Sequence, residues 1–316
     1  MADAAGEQGR VGVEIEFAGL DAHAAARVLA DALGGEAVVG GPHDARVTGS
    51  RLGELELELD TRYARPPDEQ SGLVDRALES LGAREEAVKL LSIVVPVELV
   101  TPPLAPAQFP ALEEAVAALR AAGAEGTEVA PHYAFGMHLN ISLDHGGAER
   151  AIRIAAAYGF AERWLRDRFP VDPSRRVVPF IDPYPKGWKV ELAEAMAGGA
   201  VPGIEAFVRL YQNYNPNRNR GLDLWPILGH LAPEAVARIH RQPVRNPRPA
   251  FHCRWPDSRV GDPGWSPWQE LERWRRVERA ADDPDRLERA RAQSLGVESG
   301  RGPLSAYLAA LDEVMA

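Results

Sequence analysis

Four short runs of this chain alternate apolar residues with residues that carry chemistry, and nothing else in the sequence restricts the fold as tightly. They are Val11-Gly12-Val13-Glu14-Ile15-Glu16-Phe17, Val94 to Val100 with Glu98 just ahead of Thr101-Pro102-Pro103, Phe135 to Leu143 with His138, Asn140 and Ser142, and Pro249 to Asp257 with His252 and Arg254. A period of two is the mark of a β-strand, whose successive side chains point to opposite faces. Phe135, Met137, Leu139, Ile141 and Leu143 then share one face, and His138, Asn140 and Ser142 the other. Carboxylates, imidazoles and a guanidinium are costly to bury unless paired or bound to a cation. Four such strands predict one sheet with a shared polar site.

The rest of the chain mixes helices and strands without regular βαβ alternation, which favours an α+β fold. After a strand at 10–18, Ala25, Val28, Leu29 and Ala32 follow helical spacing over 21–33, closed by Gly34-Gly35. Short strands are expected over 36–60, ending in Glu54-Leu55-Glu56-Leu57-Glu58-Leu59-Asp60. A helix at 70–88 and a strand at 92–100 follow, with Pro102-Pro103 stopping the ladder. Further helices are expected at 110–122, 147–168, 189–198, 202–212, 222–230 and 233–240, with strands at 134–143 and 249–256. The chain from about 265 reads as helical, 282–303 as a mobile linker, and 303–315 as a last helix. This divides the sequence into a main domain, 1–281, and a linker with a C-terminal helix, 282–316, packed on it.

Composition excludes several classes. At 316 residues, with 45% hydrophobic and 26% charged residues, the chain has the balance of a soluble globular protein. It has no apolar run long enough to span a membrane, and its start lacks the features of a secretory signal. Its one cysteine, Cys253, rules out an internal disulfide or a multi-cysteine zinc site, so a reducing cytoplasm is the expected location. A net charge of −10 argues against nucleic acid as a partner. The charge is uneven: residues 1–100 hold 19 acids against 9 bases, whereas 238–259 holds six arginines and one acid. An acidic half suits metal cations, and an arginine-rich segment suits phosphate or carboxylate. Oligomeric state leaves no mark.

Phosphate-loop, dinucleotide, zinc-protease and serine-hydrolase motifs are all missing. Glu14 and Glu16 share a strand face about 7 Å apart, within reach of two adjacent cations. The same spacing fits a solvent-facing edge, and the pair alone decides nothing. The row Glu54, Glu56, Glu58 and Asp60 fits a solvated face, or supplies one or two members of a metal cluster. Glu98 differs, because its apolar neighbours favour burial with a partner. A lone strand histidine such as His138 is more often hydrogen-bonded than a metal ligand.

Together the strands resemble the amidoligase family, relatives of glutamine synthetase and glutamate–cysteine ligase. Gly12 to Phe17 looks like the family's opening metal-binding strand. Glu98-Leu99-Val100-Thr101-Pro102-Pro103-Leu104 resembles its Glu-Ile-Val-Ser-Pro-Pro-Leu motif. Gly136-Met137-His138-Leu139-Asn140 is similar to the Gly-Met-His-x-His strand, and Pro249 to Asp257 to the Arg-Ile-Glu-x-Arg-Phe-Pro-Asp strand. The matches keep the family's order over about residues 10–275.

The resemblance implies an antiparallel sheet curved into a funnel flanked by helices, holding ATP and Mg2+ or Mn2+. Glu16 and Glu98, with Glu56 or Glu58, would hold the cation nearer the acceptor substrate. Glu14 and His138 would hold the cation on the nucleotide's terminal phosphates. Arg254 would stabilise the transferred phosphoryl group or bind a substrate carboxylate, beside Glu98 as the other catalytic residue. Arg218 and Arg220 would clamp phosphate, and Asn140 would line the nucleotide site. His252 stands where relatives usually place a glutamate. Imidazole still ligates, but it removes a negative charge and shifts preference from Mg2+ towards Mn2+. The implied activity is ATP-dependent joining of small-molecule or peptide carboxylates to amines, releasing ADP. A metal-dependent hydrolase and a non-catalytic nucleotide binder are the alternatives.

Overall fold

In β1 (Val11–Phe17), Val13, Ile15 and Phe17 are fully buried, while Gly12, Glu14 and Glu16 lie on the opposite face. The computed structural model describes residues 9–59, 95–130, 133–176, 180–240 and 243–316. The predicted helix at 70–88, Asp60 and the start of the strand predicted at 92–100 lie outside them. The other strands are β2 (Glu36–Gly41), β3 (Asp44–Ser50), β4 (Gly53–Leu59), β5 (Val97–Val100), β6 (Met137–Ser142), β7 (Leu222–Asp223) and β8 (Ala250–Cys253). They form one open sheet in the order β2-β3-β4-β5-β1-β6-β8-β7, antiparallel at every pairing.

Register carries the alternation of each strand across the whole sheet. Ile15 lies opposite Leu99 and Met137, Leu99 opposite Leu57, Leu139 opposite Cys253, and Cys253 opposite Leu222, so one face is apolar throughout. On the other face Glu58 lies opposite Glu98, Glu98 opposite Glu16, Glu14 opposite His138, Asn140 opposite His252, and His252 opposite Asp223. A slip of one residue would exchange the faces and bury the acids in the core. The apolar face is therefore what fixes the polar row in place.

Eleven α-helices accompany the sheet among the described residues. α1 (Ala22–Leu33) starts at Asp21, whose side chain accepts from the Ala24 N–H at 2.7 Å, and stops at Gly34, where φ is +75°. It packs on β2, β3, β4 and α2 (Phe109–Ala121). α3 (Gly147–Arg168) is the long central helix, followed by α4 (Pro173–Arg176), α5 (Lys186–Ala195), α6 (Ile204–Tyr214), α7 (Trp225–Leu231) and α8 (Pro233–His240). α9 (Pro267–Asp282) packs on α3 and brings Trp274 to 5.5 Å, ring to ring, from Phe251 of β8. No described helix is long and apolar enough to cross a membrane.

Two local expectations change. Most of the predicted linker is α10 (Pro284–Glu298), followed by α11 (Leu304–Val314). Asp283-Pro284 is a helix start: the Asp283 carboxylate accepts from the N–H groups of Asp285 and Arg286, and proline needs no partner at the first helical position. Lys189 on α5 pairs with Glu298 at 2.5 Å, and Leu287 and Ala290 are buried, so α10 is part of the core. Leu222 and Asp223, expected to begin a helix, pair with β8 instead, and the helix starts at Trp225 with Pro226 in its first turn.

Candidate functional site

The centre of the polar row is nearly dry. Glu16 is 2% exposed, Glu98 6%, His138 5%, His252 3%, and Asp223 fully buried. His138 stands among three carboxylates: its Nδ1 is 2.7 Å from Glu14 Oε2 and 3.8 Å from Glu98 Oε1, and its Nε2 is 3.9 Å from Glu16 Oε1. Glu16 also accepts the backbone N–H of Gly136 at 2.7 Å. Gathering this many acids around one imidazole is costly unless a cation offsets the repulsion.

Two sets of potential ligand atoms follow among the described residues. Glu14, His138 and His252 form one, Glu16, Glu98 and His138 the other, and within each set the atoms lie within 4.8 Å of one another. Buried carboxylate oxygens and imidazole nitrogens are a suitable donor set for divalent ions. His138 belongs to both sets. A neutral imidazole has one lone pair, so it ligates on one side only.

Burial opposes ionisation of Glu14, but the His138 hydrogen bond and charge outweigh it and hold the carboxyl well below its usual range. His252 is pushed well below its usual value, first by burial and then by the charges of Arg254, His138 and Arg248, against the opposing pull of Glu14. Near neutral pH both groups are in the state a metal ion needs.

β4 contributes at a distance. Glu56 and Glu58 are exposed; Glu56 lies 3.8 Å from Arg46, and Glu58 faces Glu98 across the ladder. Neither joins the two ligand sets. At the other end of the row, Arg254 Nη2 is 3.6 Å from Asp223 Oδ2, and Arg218 Nε donates to the same oxygen at 2.6 Å. A guanidinium has five N–H groups, and the two arginines bring paired positive charge to this end of the row. Arg220 is used differently. It donates to Asn215 Oδ1 and to the carbonyls of Pro183 and Tyr214, stitching the 213–220 loop to the 182–183 segment.

Four contributors escape a reading of the sequence strand by strand. Asp223 anchors two arginines from a strand of two residues. Arg248 donates to Asn140 Oδ1, although its only sequence signal is membership of the arginine-rich run. Arg175, 3% exposed, donates to the carbonyls of Arg254, Trp255 and Pro256 and to Asp257 Oδ1, holding the chain beyond β8 in shape. It also explains Gly136: a Cβ there would come within 2.7 Å of Arg175 Nη2 and 3.2 Å of His138 Nε2. Thr101 caps the end of β5 by accepting the Val13 N–H at 2.9 Å, just before two prolines that cannot donate.

The sequence model of a family described as "putative amidoligase enzyme" matches residues 7–275. Neither the curated proteins nor the solved structures contain a match to the chain.

Proposed function

Because this chain belongs to the amidoligase family, we propose that it is an ATP-dependent ligase that joins a small-molecule or peptide carboxylate to an amine and releases ADP and phosphate. Family membership supports a ligase in general. One observation supports the finer chemistry: the paired ligand sets at Glu14, Glu16, Glu98, His138 and His252 share a sheet face with Arg254 and Arg218. Divalent cations and guanidinium groups are what a transferring phosphoryl group requires.

Carboxylate is a poor acyl donor because oxide is a poor leaving group. In the proposed reaction a carboxylate oxygen attacks the γ-phosphorus of ATP, an O–P bond forms, and the bond to ADP breaks. The amine nitrogen then attacks the acyl carbon, a C–N bond forms, and inorganic phosphate leaves. Divalent ions, Mg2+ or Mn2+, held by the two ligand sets would neutralise phosphate charge. Glu14 and His252 hold one set in its unprotonated form, and Glu16 and Glu98 complete the other. Arg254 binds the transferred phosphoryl oxygens, Asp223 fixes its direction, and Arg218 adds a second cationic contact. Water competes with the amine for the acyl phosphate, so the low exposure of the row favours ligation over hydrolysis. The family's curved funnel is the expected setting for this site.

ADP and phosphate release should depend on ATP, a divalent ion, an acid and an amine together. Glu98→Gln and Arg254→Ala should each lower turnover by about 100-fold or more, as loss of a group that stabilises transition-state charge does. Metal-only hydrolysis of esters or phosphates, with no nucleotide dependence, would select the hydrolase alternative.

A further inference from the structure

We propose that Asn140 and Arg248 are positioning residues that lock His252 as its Nδ1–H tautomer, making Glu14–His138–His252 a site for a transition-metal cation of the Mn2+, Co2+ or Zn2+ class in preference to Mg2+. This rests on the metal-dependent ligase reading and adds the identity of one metal.

The tautomer follows from donor bookkeeping. Arg248 Nη2 contacts one terminal atom of the Asn140 amide, and a guanidinium can only donate, so that atom is the oxygen, Oδ1. The other amide atom is then Nδ2, and it donates to Glu14 Oε1 at 2.8 Å. The reversed amide would set its carbonyl against a carboxylate and its NH2 against a guanidinium, two repulsive contacts. With Oδ1 fixed, the ring nitrogen 2.8 Å from it, His252 Nδ1, must carry the hydrogen. The contact of Arg248 Nη2 with the same Nδ1 is longer, 3.3 Å, and is not its hydrogen bond. One lone pair remains on the ring, at Nε2.

His252 can therefore ligate only through Nε2, with its other nitrogen tied down in the manner of well-oriented metal-ligating histidines. The same amide steers Glu14, so Asn140 orients two of the three ligands. A cation here would take the place of the His138 Nδ1–H···Glu14 hydrogen bond, the Nδ1 hydrogen moving to Nε2. Two imidazoles and one carboxylate are then a mixed nitrogen–oxygen set, which suits first-row transition metals, whereas Mg2+ favours oxygen ligands. The Glu16–Glu98 set is richer in carboxylate. The two sets thus differ in the ion they prefer.

The test uses the full chain, stripped of metal and without nucleotide. Mn2+ and Mg2+ are titrated competitively, and nitrogen hyperfine coupling to bound Mn2+ is read by pulsed electron paramagnetic resonance. The wild type should bind Mn2+ at least about 100-fold more tightly than Mg2+, with coupling to histidine nitrogen, and His252→Glu should narrow that ratio about 10-fold. Asn140→Ala should weaken Mn2+ binding about 10- to 100-fold, as loss of an orienting partner does. The tautomer is read separately by 15N resonance on the metal-free wild type, where His252 Nδ1 should be the protonated nitrogen. A protonated Nε2, absent nitrogen coupling in the wild type, or a ratio unchanged in folded His252→Glu would each overturn the proposal. None of these measurements involves ATP turnover, so a failed ligase assay and a failed metal assignment are separable.

Discussion

His252 fixes how the protein should respond to acid. Its imidazole is buried and held well below the ordinary histidine value of 6.5, so the folded chain refuses a proton that the unfolded chain accepts. That contribution to stability is complete above about pH 6.5 and is lost as pH falls towards the folded value. Glu14, held well below 4.5, acts in the same direction at lower pH. These two groups therefore give the melting temperature of the metal-free protein a downward slope from pH 7 to pH 4, opposed by buried Glu162, Glu270 and Glu278, whose carboxyls are raised. In His252→Gln the part of that slope between pH 6.5 and 5 should flatten, as thermal melts in the presence of a chelator will show. His240, also lowered, keeps its share in both proteins, so the difference isolates residue 252. An unchanged slope would contradict a buried, neutral ring. On the adjacent strand position, burial pushes the Cys253 thiol up to about 12. Iodoacetamide at pH 8 should leave it unmodified in the folded protein and alkylate one cysteine per chain in guanidinium chloride.

At the scale of elements, the Gly-Met-His strand shows why the motif needs its glycine. Arg175 is buried and pinned by hydrogen bonds to three carbonyls and Asp257, so it cannot retreat from a Cβ at position 136. Gly136→Ala should cost roughly 1–3 kcal/mol, the usual penalty of overpacking, measured by urea unfolding. It should also disturb His138, which the same Cβ would approach. Period two was enough to place Glu14 with Glu16 and His138 with Asn140, because the parity of a strand is local to its own residues. Strand order was not legible, since nothing near Glu98 records that it will face Glu16 on one side and Glu58 on the other. Asp223 was hidden for a related reason: a two-residue strand has too few positions to show a period. The helix over Pro284–Glu298 was legible in Asp283-Pro284, but its many charges resemble those of a linker until α5 and α3 are seen to cover its apolar side.

For the whole molecule, one apolar sheet face does two jobs. It forms the core with α1, α3 and α9, and it fixes the register that lines up acids, imidazoles and arginines on the reverse. That single row, from Glu58 on β4 to Asp223 on β7, is the physical basis of the proposed carboxylate–amine ligase chemistry. The most direct test uses hydroxylamine as a generic amine, with ATP, Mg2+ or Mn2+ and a broad panel of carboxylic acids. The proposed chemistry predicts hydroxamate and ADP in equal amounts with at least one acid, and neither product without ATP. Hydroxamate accompanied by AMP and pyrophosphate, or no nucleotide consumption with any acid, would contradict it.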